Sequence, residues 1–274
     1  MEGKHYLAID VGGTKTLFAV FTSGGELVCQ SKVKTAETYD QFKADLGDNI
    51  KQLDKFSFSH ACCAIPGRID FASGVGQDFG NLPWQDVPIR SDLETILPGV
   101  KILLHNDAKL AGLSETLLLK GQYKKVLYLT ISTGIGGAVI TNEVIDPDFT
   151  NFEPGQMVFE HNGKMLQWED IASGRTFMVR YGGPAAEIDD PAIWQEYVKL
   201  LTAGLEDVLA NVQPDAVIIG GGVGAHFEKF KSYLESELAN INNPMVPTPP
   251  LLKAQRPEEA VIYGCYDYIK QNLG

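Results

Sequence analysis

Cysteine is scarce in this chain: 274 residues contain four, Cys29, Cys62, Cys63 and Cys265, and no two are spaced as Cys-x-x-Cys. That excludes a disulfide framework and a cysteine-rich zinc cluster, and leaves small buried apolar side chains as the expected role. Long apolar runs are missing too. Nothing approaches the ~20 consecutive apolar residues of a membrane-spanning helix, and Met1-Glu2-Gly3-Lys4-His5 leads into a strand pattern instead of a signal peptide, so a cytoplasmic protein with no membrane partner is expected. Basic residues are few: 23 Lys and Arg stand against 35 Asp and Glu, a net charge of -12. Such a field repels a phosphate backbone and disfavours nucleic acid. A phosphate ligand would have to be held locally, by backbone N–H groups and a divalent cation. The Gly-x4-Gly-Lys-Ser/Thr loop is also absent, which excludes a Walker-type nucleotide site.

What is present suits a globular chain of two compact lobes, with 44% hydrophobic and 21% charged residues. Apolar runs at 5–10 and 16–21 flank Gly12-Gly13-Thr14 and predict a hairpin, and Ser23-Gly24-Gly25 turns the chain into a third strand at 26–33. Three antiparallel strands before any helix differ from the strand, helix, strand order of a dinucleotide fold. A helix is predicted over 39–53 and a strand over 57–65 ending in Pro66-Gly67; 68–84 reads as turn-rich and irregular. A short strand at 101–104 runs into His105-Asn106-Asp107 and a helix at 108–120.

A second glycine hairpin follows, with strands at 125–131 and 138–140 around Ser132-Thr133-Gly134-Ile135-Gly136-Gly137. One recurrence of strand, glycine turn and strand, about 120 residues on, suits two related lobes. Helices are predicted at 168–181, 191–211, 225–240 and 257–273, with a strand at 216–219. The proline-rich loop at 244–250 is expected to return the chain to the first lobe, giving a smaller lobe of 1–107 plus 257–274 and a larger one of 108–256.

Three glycine clusters and one carboxylate carry the candidate chemistry. Gly12, Gly13, Thr14 and Lys15 after Asp10 form either a plain hairpin turn or a phosphate-binding turn in which Asp10 holds hydrated Mg²⁺. Thr133, Gly134, Gly136 and Gly137 repeat the arrangement, with the Ser132 and Thr133 hydroxyls before the glycines. Gly220-Gly221-Gly222 follows a strand and opens a helix, where a nucleotide can lie against bare backbone. The same residues fit Gly-x-Gly-x-x-Ala, but the acidic strand end ~20 residues on is missing, which disfavours NAD. Asp107, where a strand gives way to a helix, is either an N-cap or a general base.

In order along nearly the whole chain, Leu7-Ala8-Ile9-Asp10-Val11-Gly12-Gly13-Thr14-Lys15, Ala64-Ile65-Pro66-Gly67-Arg68-Ile69-Asp70, Asn81-Leu82-Pro83, Asn106-Asp107-Ala108, Ser132 to Gly137 and Ile218-Ile219-Gly220-Gly221-Gly222-Val223 resemble the successive motifs of the ROK family of sugar kinases. The resemblance implies an actin-like (ribonuclease H-like) α/β fold of two lobes around a central cleft, where a hexose and a nucleotide meet. It implies that Asp107 takes the proton from a sugar hydroxyl, typically the 6-OH. It places Pro66, Gly67, Asn81, Asn106, Glu153, Gln156 and Glu169 at the sugar. Asp10, Gly12, Gly13, Thr14, Lys15, Thr133, Gly134, Gly136 and Gly137 then face phosphates and Mg²⁺, and Gly221 and Gly222 face the adenosine of ATP. A homodimer is the assembly it suggests.

Two departures stand out. The family's Glu-x-Gly-His is Glu153-Pro154-Gly155-Gln156 here, and only 157–168 separates it from Glu169, with no cysteine-rich loop. Gln156 can hydrogen-bond a sugar but is a poor zinc ligand, so no structural zinc is expected. The shortened segment resembles that of polyphosphate-dependent glucokinases, which leaves ATP the expected donor and polyphosphate an alternative. A non-catalytic sugar-binding member of the family is the rival from another class. DNA-binding members carry a helix-turn-helix before the first strand; with that strand starting at His5, DNA binding is not expected.

Overall fold

The structure is a computed structural model that describes residues 4–80, 82–256 and 258–273. The chain divides into two compact units, Met1–Ser114 with Glu259–Gly274, and Glu115–Glu258.

The first unit contains β1 (His5–Val11), β2 (Lys15–Thr22), β3 (Leu27–Lys34), α1 (Tyr39–Lys51), β4 (Phe58–Ile65), β5 (Ile69–Asp70), β6 (Val75–Phe79), β7 (Leu82–Val87), α2 (Ile89–Ile96), β8 (Lys101–Asn106) and the start of α3 (Asp107–Leu117). Its main sheet runs β3-β2-β1-β4-β8. The first three strands pair antiparallel, and β1, β4 and β8 pair parallel. Both faces of the central strand are covered, so Leu7, Ala8 and Ile9 are all fully buried and the strand reads as an unbroken apolar run. Phe42, Leu46 and Ile50 of α1 cover one part of the core, and the C-terminal helix Ala260–Gln271 buries Ile262, Cys265 and Ile269.

Residues 68–84, read from sequence as irregular, form a three-stranded antiparallel sheet of β5, β6 and β7. Its strands are short because Asp70 closes a turn by accepting from the Ala72 N–H and the Ser73 hydroxyl. The sheet is held down by Trp84, whose ring centroid lies 4.6 Å from that of Phe42 on α1 and 5.3 Å from that of Phe79 on β6.

The second unit contains the end of α3, β9 (Lys125–Ile131), β10 (Ile135–Thr141), β11 (Val144–Ile145), β12 (Val158–His161), β13 (Lys164–Gln167), α4 (Glu169–Ala172), α5 (Gly174–Tyr181), α6 (Pro191–Val212), β14 (Ala216–Gly220), α7 (Gly221–Gly224), α8 (Lys231–Ala239) and β15 (Leu251–Lys253). Its sheet order is β11-β10-β9-β14-β15, with two antiparallel pairings followed by two parallel ones. The recurrence of the glycine hairpin in sequence is therefore matched by recurrence of a whole sheet. α6 starts at Asp190, whose side chain accepts the Ala192 N–H, with Pro191 in the first turn. Its buried Trp194 and Tyr197 pack with Phe177, Trp168 and Phe230.

Two predicted helices are interrupted. The 168–181 helix breaks at Ser173, which is extended (φ -70°, ψ 163°) and whose hydroxyl caps α5 on Thr176. The 225–240 helix is a 3₁₀ turn, Phe227–Lys229, and then α8, because Phe227 and Phe230 are both buried edge to face at 5.5 Å. Within 157–168 lies the hairpin β12–β13, closed by Asn162-Gly163 with φ of 52° and 74°, the left-handed pair of a two-residue hairpin turn. Among the described residues, no helix is long and apolar enough to cross a membrane.

Candidate active site

In the first unit the parallel register sets the geometry. Asp10 pairs with Ala64, Ala64 with His105, and Ile65 with Asn106, so three strands end level with one another. The carboxyl ends of parallel strands are where open α/β sheets present ligand-binding groups. Asp10 stands there, followed by the tight turn to β2, in which the Gly12 N–H donates to the Lys15 carbonyl at 3.0 Å. The Thr35 hydroxyl donates to the Gly12 carbonyl at 2.7 Å and its N–H to the Thr14 carbonyl, tying the turn to the end of β3. Gly13, Thr14 and Lys15 are left exposed. Nothing in local spacing links residues 12 and 35, so Thr35 carries no signal in the sequence.

β4 ends on half-buried Pro66 and Gly67. Gly67 has φ +78°, and a Cβ there would lie 2.2 Å from the Asp78 carbonyl, so only glycine fits between this turn and β6. Asn81 lies outside the described residues.

At the start of α3 the cap and the carboxylate are separate residues. Asn106 is the N-cap: its Oδ1 accepts the Lys109 N–H at 3.2 Å. Its Nδ2 donates to the Gly67 carbonyl at 3.0 Å. Asn106 is buried, and both sides of its amide face the protein, so its placement is that of a holder of the Pro66-Gly67 turn. The capping role is thus filled one residue early. Asp107, half-buried, takes the adjacent Ala108 N–H on Oδ1 at 2.7 Å.

The two carboxylates feel each other. Burial first, and then the negative charge of Asp107, raise Asp10 to about 7 against the opposing pull of Lys32. His105, which accepts the Asn106 N–H on Nδ1 at 2.9 Å, is held down at about 3 by burial and then by Lys109, and is neutral.

In the second unit the turn 132–134 between β9 and β10 leaves Thr133 exposed, with Gly134 and Gly136 half-buried. Glu169, at the start of α4, accepts the Ile135 N–H at 3.3 Å. Its Oε2 lies 2.5 Å from where a Gly134 Cβ would sit and 2.9 Å from a Gly155 Cβ. Gly137 packs on Pro154 in the same way, at 2.9 Å. The 3₁₀ turn Pro154–Gln156, with Glu153 at its head and Gln156 exposed, therefore sits directly against the glycine hairpin. Glu153, Gln156, Glu169 and Thr133 to Gly137 come together as one cluster.

The third glycine group is divided in purpose. Gly221 has φ +80° and would place a Cβ 2.6 Å from both the N and O of Ile131, so the fold itself demands glycine. Gly222 is exposed and has no atom within 4 Å of where its Cβ would point. No packing constraint accounts for glycine at 222.

The pattern of the ROK family matches residues 6–272. The chain belongs to the ROK family. ROK relatives include the N-acetyl-D-glucosamine kinase of Escherichia fergusonii, 26% identical over 94% of this chain and 97% of that one, and the glucokinase of Thermotoga maritima, 25% identical over 98% of each. Among solved structures, the ROK hexokinase of Thermus thermophilus aligns with TM-score 0.77 and 25% identity over 98% of this chain and 100% of that one. The inorganic polyphosphate/ATP-glucomannokinase of Arthrobacter aligns with TM-score 0.73 and 25% identity over the same shares. The fold is the α/β, actin-like fold of ROK sugar kinases.

Proposed function

We propose that this ROK member is a hexokinase that transfers a phosphoryl group from Mg-ATP to a hexose hydroxyl, the 6-OH of glucose or a related sugar, with Asp107 as the general base. The observation that supports the reading is the carboxylate pair at the strand ends: Asp10, raised to about 7 partly by Asp107, and Asp107 itself, first in α3 while Asn106 caps the helix.

Phosphoryl transfer asks little covalent chemistry of the protein, so positioning, charge neutralisation and a base on the acceptor make up the catalysis. Asp107 accepts the hydroxyl proton as the acceptor oxygen attacks. Asn106 and Gly67 hold the turn beside it, and Pro66, Gly67, Asn81, Glu153, Gln156 and Glu169 supply sugar contacts. The amides of Gly12, Gly13, Thr14, Lys15, Thr133, Gly134, Gly136 and Gly137 meet phosphate oxygens, and Gly221 and Gly222 meet the adenosine.

The residues fit a magnesium ion. Two mutually repelling carboxylates favour a divalent cation, and no three His, Cys, Asp or Glu side chains among the described residues cluster to hold a metal alone. Mg²⁺ of that kind is bound through one or two carboxylates, water and substrate phosphates, and supplies charge neutralisation. Asp10 would hold it through water.

ATP is favoured over polyphosphate by the net charge of -12 and by the unconstrained glycine at 222. The test is a coupled assay of hexoses against ATP and polyphosphate, with and without Mg²⁺. Sugar-dependent ADP release that needs Mg²⁺ is expected. Nucleotide hydrolysis indifferent to added hexose, or sugar binding without turnover, would overturn the proposal.

A further inference from the structure

Ser132 is bonded in three directions. Its N–H donates to the Gly134 carbonyl at 2.9 Å, closing the β9–β10 turn, and its carbonyl accepts the Gly174 N–H at 2.6 Å, holding the first residue of α5. Its hydroxyl oxygen accepts the Gly222 N–H at 3.1 Å and lies 2.7 Å from where a Gly221 Cβ would sit. The backbone bonds persist with any residue at 132, but the hydroxyl bond depends on the side chain. It joins the phosphate turn of 132–137 to the turn of 220–224, 90 residues away in sequence.

Stability does not explain this link. Ser132 and Gly222 are both exposed, and water can replace an exposed hydrogen bond at little net cost. What water cannot do is fix the spacing between the two turns. Accepting from Gly222 also occupies one lone pair of Oγ and leaves the hydroxyl proton free to donate elsewhere.

We propose that Ser132 is a positioning residue that sets the spacing of the phosphate turn against the nucleoside turn, so that a nucleotide spanning both is recognised as a unit. The inference rests on the reading of these turns as the nucleotide site. It differs from the sequence expectation of hydroxyls simply facing phosphate, because the contact that matters is made to protein.

The experiment compares wild type with Ser132→Ala and Ser132→Thr. Readouts are ATP and hexose KM, ADP affinity by calorimetry, inhibition by inorganic pyrophosphate, and thermal unfolding. Loss of one positioning hydrogen bond is expected to raise ATP KM and ADP Kd about three- to tenfold. Hexose KM and pyrophosphate inhibition stay within about twofold, Tm stays within about 2 °C as for a surface change, and Ser132→Thr recovers wild-type ADP affinity.

Unchanged ADP affinity in Ser132→Ala overturns the inference. So does equal weakening of pyrophosphate, which would make Ser132 a direct phosphate ligand. If wild type binds ADP yet shows no sugar kinase activity, the functional reading fails while the ADP comparison still decides the role of Ser132. If wild type binds no ADP, both fall.

Discussion

Asn106 joins two neighbouring structures with one side-chain amide: Nδ2 donates to the Gly67 carbonyl at 3.0 Å, and Oδ1 caps α3 on the Lys109 N–H at 3.2 Å. Asn106→Ala removes both bonds in a buried place. A loss of about 1–3 kcal/mol in unfolding free energy is expected, with a rise in hexose KM. Asn106→Ser restores a cap but is too short to serve Gly67, and should recover about 1 kcal/mol in urea denaturation. A stability equal to wild type in Asn106→Ala would remove this residue from the site's support.

Asp107→Asn keeps the shape of the side chain and removes the base. Turnover should fall ~10²–10⁴-fold while hexose affinity changes only a few fold. Steady-state kinetics beside direct sugar titration distinguish the two, and full activity in the variant ends the assignment.

The raised Asp10 has a pH signature in metal-free protein. Its folded pKa of about 7 lies above the usual 3.8, so between those values the folded state binds more protons than the unfolded one. Stability from this group is present below about pH 4 and is lost as pH rises through 7. Asp10→Asn abolishes the titration, so its stability relative to wild type should increase from pH 4 to pH 8, by at most about 4 kcal/mol. His105, held down at about 3, acts oppositely, losing stability as pH falls below its ordinary 6.5. It is common to both proteins and cancels in the difference. A difference flat with pH would show that Asp10 titrates normally.

Gly221→Ala and Gly222→Ala separate folding from binding in adjacent residues. The first forces a Cβ to 2.6 Å from backbone atoms at φ +80° and should cost several kcal/mol. The second meets open space, so Tm should stay near wild type while ADP affinity falls about tenfold as the bare backbone is covered. Equal ADP affinity in a folded Gly222→Ala would show that no ligand approaches there.

The glycine hairpins and the buried strands were legible because their signals are local: apolar runs of strand length around residues that permit tight turns. β5 to β7 were not, since short strands full of turn residues look irregular until Trp84 finds α1. The hairpin at 158–167 does carry a signal, Asn162-Gly163, in a segment that lacks cysteine zinc ligands. In the candidate site, Asp10 and Asp107 were readable from position at strand ends and from likeness to a family. The role of Asn106 as cap, the hold of Thr35 on Gly12 and the bond between Ser132 and Gly222 were not. Each joins groups that only the folded chain makes neighbours.

The helix Ala260–Gln271 belongs to the unit whose strands come first in the chain. A ribosome makes β1 and β4 early and this helix some two hundred residues later, so the sheet face that Ile262, Cys265 and Ile269 cover stays wet for most of synthesis. The unit encoded second has all its parts before the first does, and it can complete its core earlier. In a growing cell, the window in which that uncovered face can stick to other chains includes the whole time needed to translate residues 115–258.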